Sequence, residues 1–322
     1  MQTNTKVAVL GAGTMGPGIA TTYALHGCKT ALYSRTQATL DRAKAVIESN
    51  LNLFVEEAII DEHAAKEALS LVEFTTRVED AVEGAWYIAE TIVEKPEAKM
   101  ALYQQLDEIL SLDTVIASNT SYLNIFELMP PERLPYTVIA HWYTPAHILP
   151  LVEIVKGPQT LSSVMDAVTQ FHSRCGKTPV QMEKFIPGFI VNRMQSAMTR
   201  EVLYLIENGY CTAQQLDLAV KTSLMPRGLI LGLVQRLDFN GIDMLVNSLN
   251  NKKYEPAPET THPATVFDHY DRGEYGIKSG KGFFDYSSQS YADVLQNRDK
   301  LLLKSVALAQ YGIQHPLHDK KD

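Results

Sequence analysis

Cysteine is scarce in this sequence: 322 residues contain only three, Cys28, Cys175 and Cys211. They lie far apart and form no CxxC pair, so the pattern is typical of a reducing compartment and predicts neither a disulfide framework nor a zinc site. We expect all three to be small buried side chains and expect no metal site.

Long apolar runs, excess positive charge and internal repeats are also lacking. No run approaches the roughly 20 apolar residues that a membrane helix needs, and the polar residues 1–5 predict no signal peptide and a cytoplasmic location. A net charge of -8 argues against nucleic acid as the main partner. The content of 45% hydrophobic and 20% charged residues is typical of a globular protein, and the length suffices for two domains.

Short apolar segments alternate with longer amphipathic stretches over the first half of the chain. Those that predict strands are residues 7–10, 30–33, 86–89, 115–117, 138–140 and 151–155. Strands that alternate with helices indicate crossover units and a largely parallel sheet. Between the second and third of these strands, residues 37–71 carry apolar side chains at helical spacing, which predicts a pair of inserted helices.

The pattern changes near residue 186. Pro187 suits the first turn of a helix, and Asn208 with Gly209 suits its end. Thr212 and Gln215 form a capping-box pattern that predicts the start of another helix. We therefore predict a Rossmann-type α/β domain over residues 1–186, with a helical-hairpin insertion, and an all-α domain over residues 187–322. The polar tail beyond residue 286 is expected to be partly helical.

The strongest local motif is G-x-G-x-x-G, which follows the first predicted strand and opens a helical pattern. The first glycine allows a tight turn, the second lets the backbone approach a pyrophosphate, and the third lets helix and strand pack closely. The pyrophosphate then lies at the positive end of the helix. The predicted cofactor-binding residues of this loop are Gly11, Ala12, Gly13, Thr14, Met15 and Gly16.

The end of the second predicted strand is expected to contact the cofactor's ribose. A carboxylate at that place favours NAD, because it accepts hydrogen bonds from the adenosine 2′-hydroxyl. This chain has Ser34, Arg35 and Thr36 there instead. A hydroxyl and a guanidinium would bind a 2′-phosphate, so the loop favours NADP, unless Arg35 is an ordinary solvated arginine.

His141 follows a predicted strand, at the edge where open α/β sheets bind their ligands. Glu153 has four apolar neighbours, so an ionised carboxylate there needs a partner. Each residue alone could be an ordinary polar side chain. Together they suggest a catalytic base and the carboxylate that orients it.

Six segments, in order and in spacing, resemble the 3-hydroxyacyl-CoA dehydrogenase family. They are ETIVE at residues 90–94 with Lys99, SNTS at 118–121, HWYTP at 141–145, LVE at 151–153, PGFIVNR at 187–193 and GIKSGKGFFDY at 276–286. The resemblance covers residues 6–286. It implies NAD(P)-dependent hydride transfer between a 3-hydroxy compound and its 3-keto form.

The resemblance also implies residue roles. His141 exchanges the proton of the substrate hydroxyl, and Glu153 holds its imidazole as the carboxylate of a hydrolytic triad does. Ser121 and Asn192 would contact the reacting oxygen or the nicotinamide. The remaining cofactor contacts implied are Glu94, Lys99, Asn119 and Lys278.

Two departures bear on the substrate. Thr144 stands where the family usually has Asn, and Arg227 resembles the branch that contains gulonate 3-dehydrogenase, λ-crystallin and carnitine dehydrogenase. Arg227 could pair with a substrate carboxylate, or it could be a surface or interface arginine. Three hypotheses stay open: a dehydrogenase of free 3-hydroxy acids, a 3-hydroxyacyl-CoA dehydrogenase proper, and a dinucleotide-binding structural protein of λ-crystallin type. The resemblance further implies a homodimer.

Overall fold

The N-terminal part of the chain is built on one sheet. The computed structural model describes residues 5–252 and 255–317, and the chain divides into two compact units, Met1–Arg193 and Met194–Asp322. The eight strands of the first unit have the order β3-β2-β1-β4-β5-β6-β7-β8, and only β6 and β7 pair antiparallel. The strands are β1 (Lys6–Leu10), β2 (Lys29–Tyr33), β3 (Val72–Thr75), β4 (Tyr87–Glu90), β5 (Val115–Ser118), β6 (Thr137–Trp142), β7 (Leu151–Lys156) and β8 (Thr178–Met182).

Helices cover both faces of this sheet, because alternate strand residues point to opposite sides. Val7 and Val9 of β1 belong to one apolar cluster, whereas Ala8 and Leu10 belong to the other. The helices are α1 (Gly16–Leu25), α2 (Gln37–Glu56), α3 (Glu62–Ser70), α4 (Val78–Val82), α5 (Pro96–Ile109) and α6 (Ser162–Arg174). The sheet is thus a doubly wound α/β sheet, as predicted.

The second unit is helical. Its α-helices are α7 (Val191–Glu207, which begins in the first unit), α8 (Ala213–Ala219), α9 (Met225–Asn240), α10 (Ile242–Asn250), α11 (Ala264–Asp271) and α12 (Tyr291–Gln314). The capping box of Thr212 and Gln215 is present at the start of α8, and Gly209 after α7 has a positive φ of 69°. Both features confirm their predictions, and α12 confirms a helix in the polar tail.

The predicted helical insertion is present as α2 and α3, and the six predicted strands are all found. Two strands, β3 and β8, were not predicted. They lie at the two edges of the sheet, and edge strands bury fewer side chains, so their apolar pattern is weak. His141 lies inside β6 rather than after it.

The prediction that Pro187 opens a helix is wrong. Gly188 and Phe189 have positive φ values of 78° and 49°, and they form a turn before α7 begins at Val191. The Phe189 side chain is buried and packs on the rings of His141 and Phe185. The domain boundary near residue 186 stays a prediction.

Cys28 and Cys175 are buried as expected, but Cys211 is only partly buried. Among residues 5–252 and 255–317, no helix combines the length and the apolar character needed to cross a membrane. No cluster of three potential metal ligands occurs in the same ranges.

Candidate active site

A cavity of about 880 Å³ lies at the carboxyl ends of the central strands. Its wall includes the glycine loop, the end of β2, the segment after β4 and the residues after β5. Strands β1 and β4 are neighbours, and the chain leaves them toward opposite sides of the sheet. Such a switch point at the carboxyl edge is where open α/β sheets bind ligands.

The glycines of the loop fit the backbone of a dinucleotide site. Gly11 has a φ of 117°, and a Cβ there would meet the carbonyl oxygen of Thr91 at 2.7 Å. A Cβ at Gly16 would collide with the carbonyl oxygen of Gly11, so this glycine permits close packing of α1. A Cβ at Gly13 would meet nothing within 4 Å and would point into open space. Ala12, Thr14 and Met15 complete this wall, which therefore suits the close approach of a pyrophosphate.

Ser34 and Arg35 also line the cavity, at the end of β2. The Thr36 hydroxyl caps α2 by accepting the N–H of Thr39, and its predicted contact with the cofactor stays a prediction. Thr39 lines the cavity at this end, and Arg42 donates to the Thr39 hydroxyl at 3.0 Å. The ribose end of the cavity is thus bordered by hydroxyls and two arginines.

Beneath the cavity lies a buried ion pair. The Lys99 ammonium is 2.7 and 2.8 Å from the two carboxylate oxygens of Glu90, with side-chain exposures of only 1% and 0%. Tyr103 and Ser118 donate further hydrogen bonds to Glu90 at 2.7 and 2.5 Å. Lys99 therefore braces the strands under the cavity, and its predicted contact with the cofactor stays a prediction.

Glu94 connects this pair to the residues after β5. Its Oε2 lies 3.5 Å from the Lys99 ammonium, while its Oε1 accepts from the Thr120 hydroxyl at 2.5 Å and from the Ser121 N–H at 2.9 Å. Burial alone would raise the pKa of Glu94, but the hydrogen bond from Thr120 and the charge of Lys99 outweigh burial and lower the pKa. Glu94 thus lines the cavity as an anion and fixes the backbone of Ser121.

His141 and Glu153 face each other across the antiparallel pair of β6 and β7. The imidazole Nδ1 is 3.0 Å from Glu153 Oε2, and the two side chains are 4% and 0% exposed. Because a carboxylate only accepts, Nδ1 carries the hydrogen, and the lone pair of the neutral ring lies on Nε2. The Ser121 hydroxyl is 3.2 Å from Nε2, so it donates to that lone pair.

Four donors surround the Glu153 carboxylate. Besides His141, the Tyr143 hydroxyl donates to Oε2 at 2.7 Å, and the N–H groups of Ile190 and Val191 donate to Oε1 at 3.0 and 3.1 Å. Burial alone would raise the pKa of Glu153, but the hydrogen bonds from His141, Tyr143 and the backbone lower it. Glu153 is therefore a carboxylate anion that holds the imidazole in one tautomer.

Three other predicted residues lie near this pair. Asn119 lines the cavity, and its side-chain oxygen accepts the N–H of Trp142 at 2.7 Å, which ties β5 to β6. Asn192 lies in the first turn of α7, directly after the N–H groups that bind Glu153. Thr144 is exposed and its hydroxyl contacts the sulfur of Met15 at 3.1 Å, at the edge of the glycine loop.

Two predicted residues belong to the helical unit. The Arg227 guanidinium, in α9, donates to the carbonyl and the hydroxyl of Ser223, both at 3.1 Å. Lys278 is exposed on a turn closed by the bond from the Gly276 N–H to the Lys281 carbonyl. Their predicted roles toward substrate and cofactor stay predictions.

Sequence reasoning missed the roles of Tyr143 and Glu90. Both stand inside the quoted motifs, but nothing in their local spacing shows which side chain they contact. A glutamate in the apolar strand β4 carried the same signal as Glu153, namely a charge that needs a partner within the core. Applied at Glu90, that signal would have paired it with a buried cation.

Dinucleotide-dependent oxidoreductases place the cofactor on a glycine loop at the carboxyl edge of such a sheet, and this fold and cavity belong to that class of protein. The comparison of the sequence with protein families narrows the class. The chain belongs to the 3-hydroxyacyl-CoA dehydrogenase family: residues 6–185 match its NAD binding domain and residues 188–286 match its C-terminal domain. It is an oxidoreductase of that family with an NAD binding domain, which agrees with the predicted nicotinamide-dinucleotide dependence.

Two relatives illustrate the range of the family. The 5-formyl-3-hydroxy-2-methylpyridine 4-carboxylate 5-dehydrogenase of Mesorhizobium japonicum is 29% identical over 92% of this chain and 96% of its own. The 3-hydroxybutyryl-CoA dehydrogenase of Clostridioides difficile is 32% identical over 88% of this chain and 99% of its own. A crystal structure of a dehydrogenase for the same formylpyridine carboxylic acid, described as an NAD⁺-dependent dismutase, has a TM-score of 0.84 and 27% identity. The match covers 95% of this chain and 98% of that one.

Replacement of Lys99 tests the buried brace. Lys99→Met leaves Glu90 as an uncompensated buried charge, which should lower the free energy of unfolding by about 3–5 kcal/mol. Urea denaturation followed by circular dichroism measures the loss. The matched control is Lys66→Met, which breaks an ion pair with Glu62 whose side chains are 79% and 78% exposed, and it should leave the midpoint almost unchanged. Equal effects of the two substitutions would contradict the bracing role.

Proposed function

We propose that His141 is the acid/base of a reversible dehydrogenation of a 3-hydroxy compound and that Glu153 orients it. The observation that carries this proposal is the bond between His141 Nδ1 and Glu153 Oε2, because it leaves the unprotonated Nε2 beside Ser121. A base must lie within hydrogen-bond reach of the proton that it takes. The Ser121 hydroxyl marks a place where a substrate hydroxyl can reach Nε2.

In the oxidation, Nε2 of His141 takes the proton of the substrate hydroxyl as the carbon–oxygen single bond becomes a carbonyl. The bound dinucleotide supplies the acceptor for the hydride that leaves the same carbon. Glu153 stabilises the imidazolium that results, without itself taking the proton. In the reduction the imidazolium returns its proton to the oxygen. Ser121 and Asn192 are the proposed donors to that oxygen as its negative charge grows.

The main alternative of another class is a structural protein of λ-crystallin type that binds the dinucleotide with little turnover. The assembled pair of His141 and Glu153 favours an enzyme, because the carboxylate fixes the imidazole with its unprotonated Nε2 beside Ser121, an arrangement that cofactor binding alone does not require. Measured absorbance of reduced cofactor with the parent protein distinguishes the two functions.

For the substrate, we propose a free 3-hydroxy acid over an acyl-CoA thioester. The guanidinium of Arg227 donates to two neutral oxygens of Ser223, and no carboxylate of residues 5–252 or 255–317 forms an ion pair with it. Its charge is therefore available for a substrate carboxylate. The Mesorhizobium relative is named for a substrate that carries a carboxylate, which supports this choice, whereas the Clostridioides relative is named for a CoA thioester.

For the cofactor, we propose a preference for NADP over NAD. The support is the ribose end of the cavity, where Ser34 and Arg35 stand in place of a carboxylate and Arg42 contacts the cavity residue Thr39. A 2′-phosphate would gain charge-assisted hydrogen bonds there. A 2′-hydroxyl alone would leave the guanidinium without an anionic partner.

A cytoplasmic location is proposed as the sequence predicts. A homodimer formed through the helical unit is also proposed. In α10 alone, four apolar side chains are between 51% and 67% exposed: Ile242, Met244, Val246 and Leu249. Ile242, Val246 and Leu249 follow one another at i, i+4 and i+7 and so share one face of the helix, and an exposed apolar face of this kind is typical of an association site. A second copy of the chain is the occupant that the family resemblance implies.

Replacement of His141 tests the proposed chemistry. His141→Asn should bind cofactor as the parent does, but its turnover should fall by roughly 10²–10⁴, the usual contribution of a positioned acid/base. Glu153→Gln should also reduce turnover, because a neutral partner no longer favours the imidazolium. Steady-state kinetics give the turnover, and fluorescence titration gives cofactor affinity. Turnover of His141→Asn within a few-fold of the parent would remove His141 from the mechanism.

Cofactor choice is tested by kcat/KM with NADP and NAD. The parent should prefer NADP, and the double change of Ser34→Asp with Arg35→Ile should reverse the ratio, since a carboxylate repels the 2′-phosphate. The control Lys44→Ala removes an exposed cation elsewhere on α2 and should leave the ratio unchanged. A strong preference of the parent for NAD would contradict the proposal and show that Arg35 does not determine the choice of cofactor.

Substrate class is tested with a 3-hydroxy acid and its CoA thioester. The acid should have the higher kcat/KM, and Arg227→Ala should raise its KM at least about tenfold, as the loss of a charge-assisted pair implies. Lys221→Ala is the control, because Lys221 forms an exposed ion pair with Asp217 and lies six residues before Arg227 in the same helical stretch. Efficient turnover of 3-hydroxybutyryl-CoA, unaffected by Arg227→Ala, would instead establish the acyl-CoA function.

A further inference from the structure

Tyr143 and His141 use the same oxygen atom of Glu153. The Tyr143 hydroxyl donates to Oε2 at 2.7 Å, and His141 Nδ1 donates to it at 3.0 Å. The two rings also meet edge to face, with centroids 4.6 Å apart and planes at 72°. The phenol therefore competes with the imidazole for the negative charge of one carboxylate oxygen.

The Tyr143 hydroxyl is fixed as a donor at this place. Burial raises its pKa most, and the hydrogen bond to Glu153 and the charge of Glu153 raise the pKa further. The N–H groups of Asn192 and Val191 act in the opposite direction without reversing the shift. The phenol therefore keeps its proton and directs it at Glu153.

We propose that Tyr143 is a positioning residue that sets the proton affinity of His141 by taking part of the negative charge of Glu153 Oε2. This inference rests on the proposed function, in which His141 is the acid/base. A donor to a carboxylate stabilises its charge and weakens its attraction for a second donor. Without the phenol, Oε2 would hold the imidazolium more strongly, and His141 would stay protonated to a higher pH.

The other groups around the imidazole limit how this effect can arise. Glu153 faces it from β7, Tyr143 from the segment after β6 and Ser121 from the segment after β5. Behind Ser121 lies the carboxylate of Glu94, which binds the Ser121 N–H, and the start of α7 presents its N–H groups to Glu153 Oε1. Among the residues that these hydrogen bonds join, only Tyr143 contacts both the imidazole ring and Glu153 Oε2, the oxygen to which the imidazole donates.

The test is Tyr143→Phe, which removes the hydroxyl and keeps the ring on His141. The oxidation needs the unprotonated imidazole, so the acidic limb of the kcat/KM profile should move to higher pH by about half a unit to one unit. The KM for cofactor should stay the same. Site-specific 3-fluorotyrosine at position 143 is a stronger donor and should move the limb to lower pH, a reversal that a purely structural role would not produce.

Two controls assign the shift to the shared carboxylate. In a Glu153→Gln background, Tyr143→Phe should cause no further shift, because the charge for which the two donors compete is gone. Tyr136→Phe removes a hydroxyl just before β6 and should leave the profile unchanged. A shift that persists without Glu153 would overturn the proposal.

An NMR titration of the His141 Cε1–H resonance in the free protein gives the same comparison without turnover, with His141→Asn to assign the signal. The midpoint should rise in Tyr143→Phe and fall with fluorotyrosine. An unchanged midpoint in both proteins would overturn the role of Tyr143 even if His141 proves catalytic. If His141→Asn keeps its turnover, the proposed function fails, while the titration still decides whether Tyr143 controls the imidazole.

Discussion

The charge of Glu153 is buried without exposed surface, and the structure around the candidate site depends on keeping that charge satisfied. An isolated buried carboxylate costs several kcal/mol. Here four donors offset that cost, and they come from β6, from the segment after β6 and from the start of α7. The antiparallel register of β6 and β7 and the left-handed turn at Gly188 and Phe189 are both needed to bring these donors to one carboxylate.

The same principle holds on the other side of the site. Glu90 and Lys99 neutralise each other under the sheet edge. Glu94 contacts the Lys99 ammonium and accepts the N–H of Ser121, so the ion pair also fixes the backbone of Ser121. Ser121 is the residue at which the two networks meet, because its hydroxyl contacts His141. The imidazole is thus held by the Glu153 carboxylate at Nδ1 and by the Ser121 hydroxyl at Nε2, which suits a group that must exchange one proton repeatedly.

The sequence was informative where structure is decided locally or by strong burial. The glycine loop, the capping box at Thr212 and the central strands follow from short-range patterns, and the pairing of His141 with Glu153 follows from the cost of a charge in an apolar strand. It was uninformative where the deciding contact is distant in sequence. Pro187 appeared to open a helix because the burial of Phe189, which fixes the left-handed turn, depends on rings in other segments. Likewise, nothing in the sequence around Lys99 reveals that its ammonium binds Glu90.

The central claim is that Glu153 fixes His141 in the tautomer with hydrogen on Nδ1 and leaves Nε2 free to act as the base. The most direct measurement is the ¹⁵N spectrum of the histidine ring in the free protein, on the basic side of its titration. The account predicts a protonated, pyrrole-type signal for Nδ1 and an unprotonated, pyridine-type signal for Nε2 of His141. A protonated Nε2 with an unprotonated Nδ1 would contradict it, because such a ring could neither donate to Glu153 nor accept a proton beside Ser121.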